Sequence, residues 1–151
     1  MDSTHPLKEG LKFVGPSKTL NDAHFLFFSG LSGDSHPIHN DVEYAKRTRF
    51  GKPIAHGLLL ASLTALGASE LKDKVDGFVI CEQGCRYLHP AVVGDTVRPE
   101  FVVERTWQEG HREFCRIKTA LRNQRGETVL EGFHVYRVIP LKTEEKIHHA
   151  G

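Results

Sequence analysis

The sequence predicts an α+β fold in which one antiparallel β-sheet wraps around a central buried α-helix. Residues 58–71 carry apolar side chains on nearly every helical face, and a helix that is hydrophobic all round is a buried one. After it, four segments have the pattern of long strands and are separated by turn-forming residues. A single sheet has to bury its apolar face against another element, so the sheet must cover the helix.

The first third of the chain predicts short elements. Residues 11–14 form a plausible first strand, and Asn21 is a helix start with apolar residues behind it. Residues 29–37 are rich in Ser, Gly and Pro, which should break any regular element. Asp41 can then cap a short helix over residues 42–48.

The remainder supplies the sheet. Turn residues such as Gly94-Asp95 separate the predicted strands, which are residues 77–88, 96–107, 113–121 and 128–139. A chain of 151 residues suits one domain, which we place at residues 1–141. Residues 142–151 are predicted to be a polar C-terminal tail.

Composition argues against several classes of protein. Lys and Arg number 20 and Asp and Glu 19, a balance that disfavours nucleic-acid binding. The most apolar stretch, residues 54–68, is shorter than the roughly 20 residues of a membrane span, so we expect no membrane association. Three cysteines make a poor disulfide framework, and residues 1–6 do not resemble a signal peptide. We therefore expect a cytoplasmic protein.

Three side chains that can carry chemistry lie within six residues: Asp34, His36 and His39. Pro37 limits the backbone between the two histidines. Residues 53–57 begin the predicted buried helix, whose free N–H groups can stabilise a developing negative oxygen. These are the parts of a general acid–base site next to a carbonyl. From residue type alone, turn, cap and surface polar roles explain the same residues equally well.

The pattern extends further and resembles a known family. Residues 33–39, Tyr44-Ala45, Thr48 and residues 50–57 are similar to the signature of the MaoC-like dehydratases, which are (R)-specific enoyl-CoA hydratases with the hot-dog fold. With the later turn at residues 93–97, the resemblance covers most of residues 20–139. It implies a hydro-lyase that adds water reversibly to a trans-2-enoyl thioester.

The resemblance also implies roles for individual residues. Asp34 and His39 would hold one water between them and add it across the double bond. The backbone N–H of Gly57 would bind the thioester oxygen, with His36 and His56 as further substrate-binding residues. The substrate would be a thioester of coenzyme A or of an acyl carrier protein, and the family implies a homodimer or a larger homo-oligomer.

Two positions depart from the family pattern. His36 stands where the commoner motif has Asn, and Ala65 stands where well-known members carry a Ser that helps to orient the Asp. Helical periodicity puts Ala65 about two turns beyond Gly57, on nearly the same face. We therefore expect Ala65 to face Asp34, whose support would have to come from elsewhere.

Several alternatives remain at this point. The site could serve a hot-dog acyl-CoA thioesterase, or the chain could be a non-catalytic acyl-CoA binding module. Asp34, His36, His39 and His56 could chemically bind zinc, but nothing beyond residue type supports a metal. The family resemblance implies no metal and no cofactor, so we expect none.

Overall fold

The computed structural model describes residues 5–67 and 70–141, so the predicted tail at 142–151 lies outside the described residues. Along the chain the elements are β1 (Lys12–Val14), β2 (Lys18–Thr19), α1 (Asp22–Ser32), α2 (Val42–Lys46), α3 (Gly57–Ser62), β3 (Val75–Tyr87), β4 (Thr96–Glu109), β5 (Arg112–Arg122) and β6 (Thr128–Pro140). Two short 3₁₀ helices span Pro37–His39 and Glu70–Asp73.

One antiparallel sheet dominates the architecture. Its strand order is β1-β4-β5-β6-β3, and β2 pairs separately with β4. The four long strands predicted from the sequence are confirmed, with every end within two residues of its predicted place. Among the described residues no helix is long and apolar enough to cross a membrane.

The first helix is longer than predicted. The start at Asn21 is confirmed, since its side chain accepts the His24 N–H. The expected break at residues 29–37 is wrong in its first part, because α1 continues to Ser32. The helix ends where Gly33 takes a left-handed φ of 80°, and the Gly33 N–H closes the last turn on the Ser29 carbonyl.

The central helix is shorter than predicted and is not buried all round. It ends at Ser62 instead of running through residues 58–71, and Glu70–Asp73 forms a separate 3₁₀ turn. Leu59 and Leu60 are buried, whereas Leu58 is 69% exposed. An apolar pattern on every face cannot distinguish a buried helix from one that packs on one side and lines a cavity on the other.

The core has two parts on the sheet. Buried residues of α3 and α1 pack against the ends of β5 and β6 in one cluster, which includes Phe25, Leu59, Leu60, Leu121, Val129 and Leu130. The second cluster lies further along the sheet and includes Leu7, Leu66, Phe101, Ile117, Tyr136 and Val138. The sheet thus fixes α3 at one end and leaves space beside it.

The pairing of β3 with β6 depends on Gly132, which lies opposite Cys85. A Cβ on Gly132 would press on the Gly84 carbonyl oxygen and lie 2.8 Å from the Cα of Cys85. These are backbone atoms that cannot rotate away. Only a residue without a side chain allows the two strands this approach.

We expect Gly132→Ala to lower the free energy of unfolding by about 1–3 kcal/mol, the usual cost of overpacking. Gly77→Ala is the matched control, because a Cβ on Gly77, in the paired strand β3, has no atom within 4 Å. Urea unfolding of both variants measures the difference. Equal midpoints would contradict the steric argument.

Candidate active site

The loop between α1 and α2 places Asp34 and His39. Gly33 ends α1, and the Asp34 side chain follows directly into solvent, 52% exposed. His36 caps the 3₁₀ helix Pro37–His39 by accepting the Ile38 N–H on its Nδ1. This tight turn carries His39 inward, and its side chain is only 10% exposed.

Asp34 and His39 face each other as a pair. The Asp34 Oδ2 lies 3.6 Å from the His39 Nε2. On the far side of the ring, the His39 Nδ1 is 2.8 Å from the Ile54 carbonyl oxygen. A carbonyl oxygen only accepts, so Nδ1 carries the hydrogen and, in the neutral ring, Nε2 presents a lone pair toward Asp34.

His56 supports this pair by packing its ring against the ring of His39. Its ring stacks on the His39 ring with centroids 3.7 Å apart and planes 23° from parallel. The His56 Nε2 is 3.0 Å from the Asp34 carbonyl oxygen and 3.0 Å from the Ser29 Oγ. Because the carbonyl accepts, Nε2 carries the hydrogen, and Nδ1 is buried with no hydrogen-bond partner in the described part of the chain.

The surroundings keep His56 neutral. Burial lowers its pKa below the ordinary value of 6.5, and the neighbouring His39 lowers it further. The Asp34 carbonyl and carboxylate act in the opposite direction and do not outweigh burial. A neutral ring can stack on a second imidazole without charge repulsion, so His56 orients His39.

Gly57 begins α3 beside this group. Its N–H is one of the first groups of the helix, which have no intrahelical partner. A Cβ there would lie 3.1 Å from the ring of Tyr87, at the end of β3. The pKa of Tyr87 is raised to about 12 by burial and by the adjacent Cys85. Tyr87 therefore stays protonated next to the helix start.

The two residues that depart from the family pattern, His36 and Ala65, take different places. His36 is exposed, with its ring edge-on to Tyr44 at 5.5 Å, and acts locally as the cap described above. The placement of Ala65 on the Gly57 face is wrong, because α3 ends at Ser62 and helical periodicity stops there. Ala65 lines a cavity on the far side of α3 instead.

A triad of possible metal ligands coincides with the pair. Asp34, His39 and His56 each offer one ligand atom within 4.8 Å of the others. The His39 Nδ1 and His56 Nε2 hydrogens are already given to carbonyl oxygens, which leaves the His39 Nε2 as the lone pair that faces Asp34. The expectation of a metal-free site stays a prediction.

Sequence reasoning missed the cavity that Ala65 lines. It measures about 650 Å³ and lies between α3 and the strands β3 and β6. Apolar residues such as Leu58, Leu66 and Phe78 line it, together with His134 and Tyr136. The signal was a histidine at a buried position of β6, whose neighbours in that strand are mostly apolar.

Comparisons with known proteins agree with this geometry. The family model of the MaoC-like domain matches residues 4–130. The (R)-specific enoyl-CoA hydratase of Aeromonas caviae is 33% identical over 123 residues, 81% of this chain and 89% of that protein. The enzyme of the same name from Rhodospirillum rubrum is 31% identical over 127 residues, 83% of this chain and 84% of that protein.

A solved structure gives the same result for the fold. The (R)-hydratase from A. caviae superposes with a TM-score of 0.77 at 31% identity, covering 89% of this chain and 98% of that one. The predicted hot-dog fold is thereby confirmed.

The burial of His56 predicts how stability depends on pH. The unfolded chain carries this histidine at a pKa near 6.5, and folding lowers it. Below about pH 6.5 the unfolded state binds more protons, so the free energy of unfolding should fall as the pH is lowered through this range. Burial lowers the pKa of His134 as well, which adds to the slope.

Urea unfolding between pH 7.5 and 5 tests this for His56→Gln against the wild type. We expect a shallower pH dependence in the variant, because one proton-binding group has been removed. Identical slopes would show that His56 titrates alike in both states.

Proposed function

Because this chain belongs to the MaoC-like dehydratase family, we propose that its Asp34–His39 pair catalyses the reaction of an (R)-specific enoyl-thioester hydratase. The enzyme is a hydro-lyase. In one direction it adds water to a trans-2-enoyl thioester, and in the other it dehydrates a 3-hydroxyacyl thioester. The observation that carries the assignment is the position of the His39 Nε2, 3.6 Å from the Asp34 carboxylate, while the Ile54 carbonyl holds the His39 Nδ1.

The pair is suited to holding one water. Both Asp34 Oδ2 and His39 Nε2 are hydrogen-bond acceptors, so the water gives one hydrogen to each. Its oxygen lone pairs then point away from both groups, toward a substrate. As the C–O bond forms at the β-carbon, the pair takes one proton from the water and returns a proton to the α-carbon.

The start of α3 suits the thioester. Attack at the β-carbon moves electrons onto the thioester oxygen, which needs a donor where the charge develops. The N–H of Gly57 is the donor we assign, with Tyr87 packed against it where a side chain would otherwise stand. His36 and His56 are adjacent to the pair, and His56 acts through the ring of His39.

The basic side chains near the site support a phosphate-bearing thioester. Arg47, Arg49 and Lys52 are exposed on and after α2, close in sequence to the helix start at Gly57. Both coenzyme A and the arm of an acyl carrier protein carry phosphate, which guanidinium groups bind well. We propose either thioester as substrate and a cytoplasmic location, which the three free thiols support.

Substitution of the pair tests the reaction itself. We expect Asp34→Asn and His39→Ala each to slow the hydration of crotonyl-CoA by about 10²–10⁴-fold, followed by loss of enoyl absorbance. Asp22→Asn and His111→Ala are controls of the same residue types on exposed positions of α1 and the β4–β5 turn.

The same assay separates the alternatives. A thioesterase would release free thiol from crotonyl-CoA, and a binding module would neither hydrate nor release it. Near-wild-type hydration by either folded variant would remove that residue from the mechanism.

We also propose a homodimer, supported by the free edge of β3. This edge strand is 13 residues long and exposes Val79 and Ile80. A long edge strand with apolar side chains is a template for pairing with another strand. Sedimentation equilibrium should give twice the 17.0 kDa mass of one chain, and a mass of one chain at micromolar concentration would contradict the proposal.

A further inference from the structure

The cavity beside α3 is lined mainly by apolar residues, and one buried hydrogen-bonded group of three side chains reaches its wall. Thr64, His134 and Tyr136 are 1%, 4% and 5% exposed, respectively. The His134 Nε2 is 3.2 Å from the Thr64 Oγ1, and the His134 Nδ1 is 2.6 Å from the Tyr136 hydroxyl. His134 and Tyr136 line the cavity, so this group forms part of its wall.

The direction of every hydrogen bond in this group follows from the bond that the Thr64 hydroxyl donates to the Ala61 carbonyl. The Thr64 hydroxyl donates its only hydrogen to the Ala61 carbonyl oxygen at 2.6 Å. Its oxygen must therefore accept from the His134 Nε2–H. Burial lowers the pKa of His134, so the ring is neutral and Nδ1 has no hydrogen. Tyr136 accordingly donates its hydroxyl hydrogen to Nδ1.

The Tyr136 oxygen is left with lone pairs and no hydrogen to offer. Burial raises the pKa of Tyr136 to about 12, so the hydroxyl stays protonated and this assignment holds at neutral pH. Ser62, which also lines the cavity, likewise gives its hydrogen to a carbonyl, that of Leu59 at 2.6 Å. The Tyr136 and Ser62 oxygens in the wall are thus acceptors, and the amide of Gln83 lies in the more exposed part of the lining.

We propose that this cavity binds an acyl tail that carries a hydroxyl group, which donates a hydrogen bond to the Tyr136 oxygen. The inference rests on the proposed hydratase function and specifies its substrate class. A plain alkyl tail fills the apolar part of the cavity but leaves the Tyr136 acceptor without a partner.

The position of the hydroxyl follows from α3. Gly57 stands at the reacting end of this helix, and Thr64 follows its last turn. The five steps from Gly57 to Ser62 rise about 7.5 Å and Thr64 lies beyond them, so the tail must extend several methylene groups beyond the thioester. A hydroxyl near the end of a medium-length chain fits that span, and one next to the reacting carbons does not.

The same wall disfavours other polar tails. A ketone only accepts hydrogen bonds, so it finds no donor at the Tyr136 oxygen. A carboxylate would also meet Asp76, which lines the cavity. The hydroxyl is the oxygen group that the bond directions select.

The experiment compares 2-octenoyl-CoA with its ω-hydroxy, ω-1 keto and ω-carboxy derivatives. We expect kcat/KM for the hydroxy substrate to exceed that for the alkyl one by about 3- to 10-fold, the size of one net hydrogen bond. The keto and carboxy substrates should fall below the alkyl one. Equal or lower kcat/KM for the hydroxy substrate overturns the inference.

Two variants show whether Tyr136 is responsible for the preference for the hydroxy substrate over the alkyl one. Tyr136→Phe removes the acceptor, and the hydroxy-to-alkyl ratio of kcat/KM should fall to one or below. Tyr44→Phe, a matched loss of a tyrosine hydroxyl outside the cavity lining, should leave the ratio as in the wild type. An unchanged ratio in Tyr136→Phe would contradict the assignment.

Thr64→Val gives a sharper test, because it removes the hydroxyl that accepts the His134 Nε2–H and so sets the direction of the other hydrogen bonds. His134 can then carry its hydrogen on Nδ1 and donate to Tyr136, whose own hydrogen turns toward the cavity. The preference should shift from the hydroxy to the keto substrate. A merely structural role of Thr64 would lower all rates together without changing this ratio.

Failure of the inference is separable from failure of the proposed function. Hydration of crotonyl-CoA, whose short chain does not reach the polar group, reports on the reaction alone. Calorimetric binding of saturated octanoyl-CoA and ω-hydroxyoctanoyl-CoA reports on the tail alone. If crotonyl-CoA is hydrated but ω-hydroxyoctanoyl-CoA binds no more tightly than octanoyl-CoA, only the inference about the tail is wrong. If ω-hydroxyoctanoyl-CoA binds more tightly but no substrate is hydrated, the enzyme assignment is wrong.

Discussion

The stack of His39 on His56 is the interaction on which the site depends. His56 is buried and neutral, and it bonds to Ser29 of α1 and to the backbone of Asp34. The same ring therefore holds the end of α1, the loop that follows it and the plane of His39. Because the Ile54 carbonyl holds the His39 Nδ1, the His39 Nε2 faces Asp34. A base and a carboxylate that are pre-oriented need no rearrangement when the water binds.

Helix α3 connects the Asp34–His39 pair to the cavity. Its first residue, Gly57, lies at the site, its buried side packs on the sheet, and Leu58 and Ala61 line the cavity. A helix of six residues is too short to be stable alone, so the sheet determines where it starts and how it is oriented. The close approach of β3 and β6 at Gly84 and Gly132 thus bears on the site, since β3 also delivers Tyr87 to the helix start.

Much of this arrangement could be predicted from the chain. Long alternating segments with turn residues between them determine strands and their order along the chain, because these signals are local. Asp34, His39 and Gly57 could be identified by their resemblance to a family signature, and the matches at 31–33% identity agree with it. The length of α3 could not, because Leu, Ala and Ser favour or tolerate helix well beyond Ser62.

The sequence by itself determined the strands and the family, and it supplied the candidate reacting residues. Only the tertiary structure decided that His56 supports His39, that Ala65 faces a cavity, and that Thr64, His134 and Tyr136 form one hydrogen-bonded group. The reason is physical. Strand periodicity depends only on neighbouring residues. A ring stack, or a hydrogen bond between residues 70 positions apart, forms only once the sheet has brought the residues together. The direction of those hydrogen bonds, and with it the polarity of the cavity wall, is a property of the folded chain alone.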